Sequence, residues 1–515
     1  ANRSDVAIVS SSVSGGTIGS MAGTDGTTHV TSSSVTLQGV TVSRQLSVDG
    51  NGAASIAGSM TLSNNAVVTV NTSATYQGTS LRAAGTPAVI NGTGTVRLNA
   101  STSDPNTTAN TALLAQDTSV PTGSFSFGPG VTVDGFGRIG DVPTVNAGRV
   151  SANVPGRVLR IDGVSHQNNG RYDSANGGVL QIVSTTLTQG GSGTVVAGDG
   201  SSVQFSGATL QGGTLTGEGS GVSTVTGSST FGGNVTIGGP VSVAPSQVLT
   251  VAATGITNNS VVTVNTNGSY AGTSVQAGGL NSPINGTGEV RLNRSSSDPQ
   301  ATVGTADLRG LTGTSLVFGP GQRLSGSGRV AVDTTIDGTV SPGYPAGAVD
   351  FIRNEGVMTF TANGGVTVDI TGPGTFDRVV NAGTMSVRGT LVVNTTQDLD
   401  AGMTFDIVTG GTVTGRFDQV IGNGLTSPKR FGARVDPGRV RVTVLCGLAD
   451  IGGAGADANG DGALNNNDFI VFIDRFFNQD PLVDFGRAGG QQGSDGVFDN
   501  NDFIAFIDLF FAGCF

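Results

Sequence analysis

In the stretch ADANGDGALNNNDF, Asp457, Asn459 and Asp461 alternate, and Gly462, Ala463, Asn465 and Asp468 follow them. Read as a twelve-position loop, this puts Asp457, Asn459 and Asp461 at positions 1, 3 and 5 and Gly462 at the turn. Ala463 then offers its carbonyl at position 7, Asn465 stands at 9 and Asp468 closes at 12. Calcium takes six to eight hard oxygen ligands, and this spacing aims carboxylate, amide and carbonyl oxygens at one point. The bland reading of the same residues is an Asx-rich turn capping a helix. A helix is required either way, because Phe469, Phe472, Ile473 and Phe476 recur at i, i+3, i+4 and i+7.

The pattern returns downstream, where 465–477 and 499–511 agree at 10 of 13 positions and Asp450 aligns with Asp484. The second loop is degenerate: Gln491 and Gly493 occupy positions 1 and 3, while Asp495, Gly496, Asp499 and Asp502 hold positions 5, 6, 9 and 12. Asp484 is placed to swing in for the missing first ligand. The alternatives are a second calcium site, ligated by Asp484, Asp495, Asp499 and Asp502, and a hydrogen-bonded pseudo-loop. Cys446 and Cys514, the only cysteines, bracket this double unit. In an oxidising compartment they read as a disulfide stapling its two ends, worth roughly 4 kcal/mol in the chain-entropy model. In a reducing compartment they read as free thiols.

The elements upstream are of another kind. Glycine makes up 85 of 515 residues, charged residues only 12%, and there is no Trp. This is poor in helix formers and rich in strand and turn formers, which excludes a mostly helical protein and an ordinary α/β enzyme. Disorder is excluded by 36% apolar content with low charge. The net charge of −11 argues against nucleic acid and anionic membrane as partners. No apolar run is long enough to insert in a bilayer. The chain starts at Ala1 with neither Met nor a signal-peptide pattern, as a processed or trimmed chain would.

Internal repeats organise the first two thirds. NNAVVTVNTSATYQGTS at 64–80 matches NNSVVTVNTNGSYAGTS at 258–274 in 12 of 17 positions, an offset of 194. INGTGTVRLN at 90–99 matches INGTGEVRLN at 284–293, SDP recurs at 103 and 297, and FGPG recurs at 127 and 318. The duplicated blocks are 64–139 and 258–330. Between and around them, four- to six-residue runs of alternating Val, Thr, Ile or Leu are set off by Gly and Asn-Gly corners. Short strands without intervening helices predict stacked coils, a parallel β-solenoid. Coils of ~20–25 residues at ~4.8 Å spacing would make 1–345 a rod of roughly 70–85 Å. Longer strands in 346–445 predict a β-rich continuation or cap, and 446–515 the small α-helical module.

Catalytic constellations are hard to assemble. His29 and His166 are the only histidines, and neither lies near a nucleophile motif. A lyase-like site on a β-helix would have to draw on Arg97, Arg291, Asp104 and Asp298, the repeated RLN and SDP positions, which a coil repeating itself explains more simply. Asn-x-Ser/Thr triplets at Asn71, Asn91, Asn285 and Asn394 are frequent enough to arise by chance.

GTVSPGYPAG from 338, FDRVVNAGTMSVRGTL from 376 and AGMTFDIVTGGTVTGRFDQV from 401 resemble the C-terminal portions of autotransporter-type β-solenoid passengers and related bacterial surface proteins. The resemblance extends through most of 1–445 and implies an elongated extracellular solenoid. The pair NNNDFIVFIDRFF/DNNDFIAFIDLFF with the terminal Gly513-Cys514 resembles the duplicated dockerin module of planctomycete secreted proteins. That resemblance is confined to 446–515 and implies a module that plugs into a cohesin-like partner. Together they imply a secreted structural or adhesive cell-surface protein, not an enzyme. Attachment would go through the calcium module, or through self-association into a filament with the Val-rich start from Ser4 complementing a strand edge. The rival readings are a dockerin-borne carbohydrate-active enzyme or a glycan-binding module, both disfavoured by few aromatics.

Overall fold

The computed structural model describes residues 5–19, 26–32, 34–345, 347–456 and 458–514. Two compact units divide it, Ala1–Glu289 and Val290–Phe515. The fold is the parallel β-solenoid expected, ending in two short helices.

In the first unit each coil supplies three strands, one to each face of a three-sided stack. One face, A, runs through 88–90 of a long strand, then Phe125–Phe127, Thr144–Asn146 and His166–Asn168. Face B runs through 94–99, 131–135, Arg149–Ala152, Arg171–Ser174 and Thr194–Ala197. Face C holds Ala53–Ile56, Ser80–Ala83, Leu113–Gln116, Val158–Asp162 and Val179–Val183. All of these pairings are parallel, and successive partners are one coil apart in sequence, as for Val195↔Leu215 and Leu180↔Val203. Of the Val-rich start, Ser4 lies outside the described residues, and Val6–Ile8 pairs with Thr28–Val30 of its own chain.

Period-two alternation produces this directly. Val133, Val150, Tyr172 and Val195 occupy one register on face B and are all buried, so each apolar side chain sits on its counterpart in the next coil. One corner is fixed by stacked amides: Asn146 Nδ2 donates to Asn168 Oδ1 at 3.0 Å, and Asn168 Nδ2 donates to Thr194 O at 2.9 Å. Both asparagines are fully buried, so the ladder satisfies groups that water cannot reach. At Gly92 the backbone has φ +88 and passes so close to Leu62 that no Cβ fits.

The duplicated block does not return to the same face. Ser80–Ala83 belongs to face C, whereas its equivalent Ser274–Ala277 pairs with Val248–Val251 on face A. The loop 71–79 therefore leaves one corner of the stack and its counterpart 265–273 leaves the next.

In the second unit, parallel stacking continues through Phe351–Asn354 onto Arg378–Asn381, and through Gly365–Gly372 onto Thr390–Thr395 and then Gln419–Asn423. Asn354 Nδ2 donates to Asn381 Oδ1 at 2.8 Å, the same corner device. The stack then stops. Thr404–Thr409 pairs antiparallel with Arg439–Leu445, which pairs antiparallel with Arg430–Asp436. This hairpin closes the edge of Thr404–Thr409, while Thr412–Gly415 and Gln419–Asn423 pair, among the described residues, with the preceding coil alone.

Candidate functional site

Two helices follow the cap, α1 (Asn466–Phe477) and α2 (Asn500–Ala512), each opening with a capping box. Asn465 accepts from Asn467 N and Asp499 from Asn501 N. In return Asn465 N donates to Asp468 Oδ2 at 2.8 Å and Asp499 N to Asp502 Oδ2 at 2.9 Å. The other oxygen of each acid holds the chain arriving from upstream. Asp468 Oδ1 accepts from Ile451 N and Gly452 N, both at 2.7 Å, and Asp502 Oδ1 accepts from Gly486 N at 2.8 Å. Both aspartates are fully buried. Gly452 and Gly486 cross the helix N-termini so closely that neither has room for a Cβ.

The position-1 residue Asp457 lies outside the described residues. Asn459 is exposed in the same loop. Positions 5, 7 and 9 do come together: Ala463 N donates to Asp461 Oδ1 at 3.1 Å, and Asn465 Nδ2 to Ala463 O at 3.1 Å. Loop spacing alone misses Asp450. Its Oδ1 accepts from Asp461 N at 3.0 Å and its Oδ2 from Cys446 N at 2.7 Å. Burial, then the neighbouring Asp468 carboxylate, pushes its pKa up despite those bonds. In the second loop the Asp484 carboxylate is hydrogen-bonded to the loop itself. There Oδ1 accepts from Asp495 N at 3.1 Å, and Oδ2 from Gly496 N and Ser494 Oγ, both at 2.8 Å. Asp495 and Asp499 stay exposed. The alignment of Asp450 with Asp484 in the internal repeat is the signal for this shared role.

Among the described residues no three His, Cys, Asp or Glu side chains converge to hold a metal. By chemistry Asp461, Ala463, Asn465 and Asp468 fit a hard cation, since each offers oxygen. By geometry the oxygens at positions 5, 7, 9 and 12 each accept from a nitrogen of the protein itself. A cation entering either loop exchanges some of those contacts for metal bonds.

The double unit is built tightly. Cys446 and Cys514 form a disulfide with Cα atoms 4.7 Å apart. Val471, Phe472, Val483, Phe485, Ala505 and Phe506 form its core. The first loop is wedged against the solenoid cap: Gly462 has no room for a Cβ beside Gly402. Gly402 N in turn donates to Val444 O of the cap at 2.8 Å, and Arg430 of the cap donates to Gly447 O at 2.8 Å. The second loop has open space at Gly496. On the helices, equivalent residues stay outside. Ile470 and Ile504 are 49% and 48% exposed, and Phe477 and Phe511 are 75% and 78% exposed.

The candidates for catalysis are occupied elsewhere. Asp104 holds its own loop, with Oδ1 accepting from Thr108 N and Ala109 N and Oδ2 from Thr111 Oγ1. Asp298 repeats this with Thr302 N and Thr305 Oγ1. Arg97 pairs in a fork with Asp134, at 2.9 and 2.8 Å. Arg291 lies over the ring of Tyr344, 3.5 Å from its centroid. His29 Nδ1 bonds Asp49, and its Nε2 faces Asp5 at 4.0 Å. His166 is buried against Thr144 Oγ1 at 2.8 Å, which also touches Tyr172, and desolvation pulls its pKa down to about 4. Asn71 is fully buried, with its amide bonded inside its own turn.

No protein-family model matches this chain, and a search of curated proteins finds no match.

Proposed function

We propose that the chain is a secreted, non-catalytic structural or adhesive protein of the cell surface, in which the solenoid is a spacer and the C-terminal double unit is a calcium-dependent, dockerin-like attachment module. The observation that carries this reading is the repeated apolar pair, Ile470 with Phe477 and Ile504 with Phe511, on a module locked by a disulfide. Exposed aromatic residues at equivalent positions on a rigid support suit a partner surface. Calcium at the loop of Asp457, Asn459, Asp461, Ala463, Asn465 and Asp468 would set the loop that leads into α1. A second ion would do the same for α2. The antiparallel hairpin closes one strand edge of the last coil, which counts against head-to-tail pairing through that edge and favours attachment to a different, cohesin-like protein.

Negative-stain microscopy of the chain in calcium and then in chelator tests this. Separate particles are expected in both conditions. Filaments that fall apart in chelator would overturn it in favour of a fibre whose subunits are joined by the module.

A further inference from the structure

The outer face of the second unit carries a groove that the attachment reading does not use. It has a volume of about 200 Å³ and is lined by Pro299, Gln300, Phe351, Arg353, Arg378 and Val380. Its floor is two adjacent parallel strands in known register, Phe351 beside Arg378 and Arg353 beside Val380. Ile352, Asn354, Val379 and Asn381 point inward and are buried, so the four groove residues all point out. The floor is a checkerboard: Phe351 and Val380 form an apolar diagonal, Arg353 and Arg378 a cationic one. With strands ~4.8 Å apart and alternate residues ~7 Å apart, the two guanidinium stems are rooted about 8 Å from each other.

The wall is the SDP loop, and Asp298 fixes it through Thr302 N and Thr305 Oγ1. Among the described residues Arg353 commits only its Nε, to Glu355 at 2.7 Å. Arg378 is exposed, and its side chain has no ion-pair or hydrogen-bond partner among the described residues. Arg294 sits 5.0 Å from the Phe351 ring centroid and is engaged by Asp350, which steadies the ring. The first copy of the block has no such floor. There the corresponding positions hold Val158, which is buried, and Arg160, with Val179 and Gln181 on the neighbouring strand.

We propose that this groove binds an acidic polysaccharide, with a sugar ring lying on the Phe351–Val380 diagonal and carboxylate groups of the chain held by Arg353 and Arg378. Arginine forks match carboxylates in geometry, and the flat Phe351 ring, with Val380 beside it, offers an apolar surface to the C–H face of a sugar ring. An acidic peptide is the poorer occupant. Both floor strands are already paired on each side, so no backbone edge remains for an added strand. The net charge of −11 repels polyanions at large, so binding reads the groove and not the whole surface.

Calorimetric titration of the full chain with galacturonate oligomers, in calcium-free buffer at physiological salt, tests the proposal. Arg378→Ala and Phe351→Ala are each expected to weaken binding about tenfold or more. Arg388→Ala, at an arginine of the same unit whose side chain is 62% exposed, is expected to leave it within about twofold. Arg378→Glu removes the site without touching buried residues, so it separates loss of binding from misfolding of the Phe351 variant. Absence of binding by the unmodified chain, equal weakening by Arg388→Ala, or equal affinity for polyglutamate would each overturn the proposal.

Discussion

Phe472 and Phe506, equivalent residues of the two loop-helix units, stack face to face with ring centroids 4.1 Å apart and planes 7° from parallel. Their neighbours cross over as well: Phe503 meets Phe472 at 4.9 Å, and Phe469 meets Phe506 at 5.9 Å. Each unit thus supplies half of the other's core, and neither can bury its own helix alone.

That reciprocity gives the first prediction. Phe472→Ala and Phe506→Ala should each destabilise the module by about 3–5 kcal/mol, and by similar amounts. The double variant should cost less than the sum, because the same contact is lost in both. Guanidinium unfolding followed at the helical circular-dichroism band measures it. Loss of one helix at a time would contradict a shared core.

The acids of the first loop should separate into two kinds. Asp468 is buried and bonded to three backbone N–H groups, so Asp468→Ala should lower module stability by about 1–3 kcal/mol with or without calcium. Asp461 is partly exposed and accepts one such bond, so Asp461→Ala should weaken calcium binding while changing calcium-free stability by under about 1 kcal/mol. Calcium titration and thermal melts in chelator read the two effects. Equal calcium-free destabilisation by both changes would show that position 5 is structural too.

Acid and base should loosen different units. His166 stays neutral in the folded first unit down to about pH 4, while the unfolded chain takes its proton near 6.5. The unfolded state therefore binds more protons between those values, and the first unit loses stability as pH falls from 6.5 to 4. Asp377 does the reverse. Burial, together with Asp369 and Asp350, lifts it to about 7 from 3.8, so the folded second unit holds the extra proton and loses stability as pH rises through that window. Hydrogen exchange resolved by peptide at about pH 4, 5.5 and 7 should show the opposite trends. His166→Asn and Asp377→Asn should each flatten the trend in its own unit.

Much of the architecture is legible in the sequence because it depends on local rules. Alternation and glycine corners predict stacked coils, the apolar residues at i, i+3, i+4 and i+7 predict α1, and the flanking cysteines predict their bridge. Asp450 is harder to see. A loop template fixes attention on residues 457–468, while the Asp450 carboxylate reaches Asp461 across eleven positions. The Phe351–Arg378 neighbour relation is not legible either. It joins positions a full coil apart, and the register depends on how much chain each coil absorbs in its corners. The SDP acids look like chemistry because they recur, yet they recur because each loop needs its own internal anchor.

The one-face rotation between the duplicated blocks changes what a neighbour of this protein meets. Tyr76 and Tyr270, both more than half exposed, crown the same loop design at successive corners of the first unit. A flat surface laid along one corner touches one tyrosine and misses the other. Whatever engages both must wrap around the stack or approach it from two sides, so the duplication widens the protein's angular reach and does not thicken a single stripe.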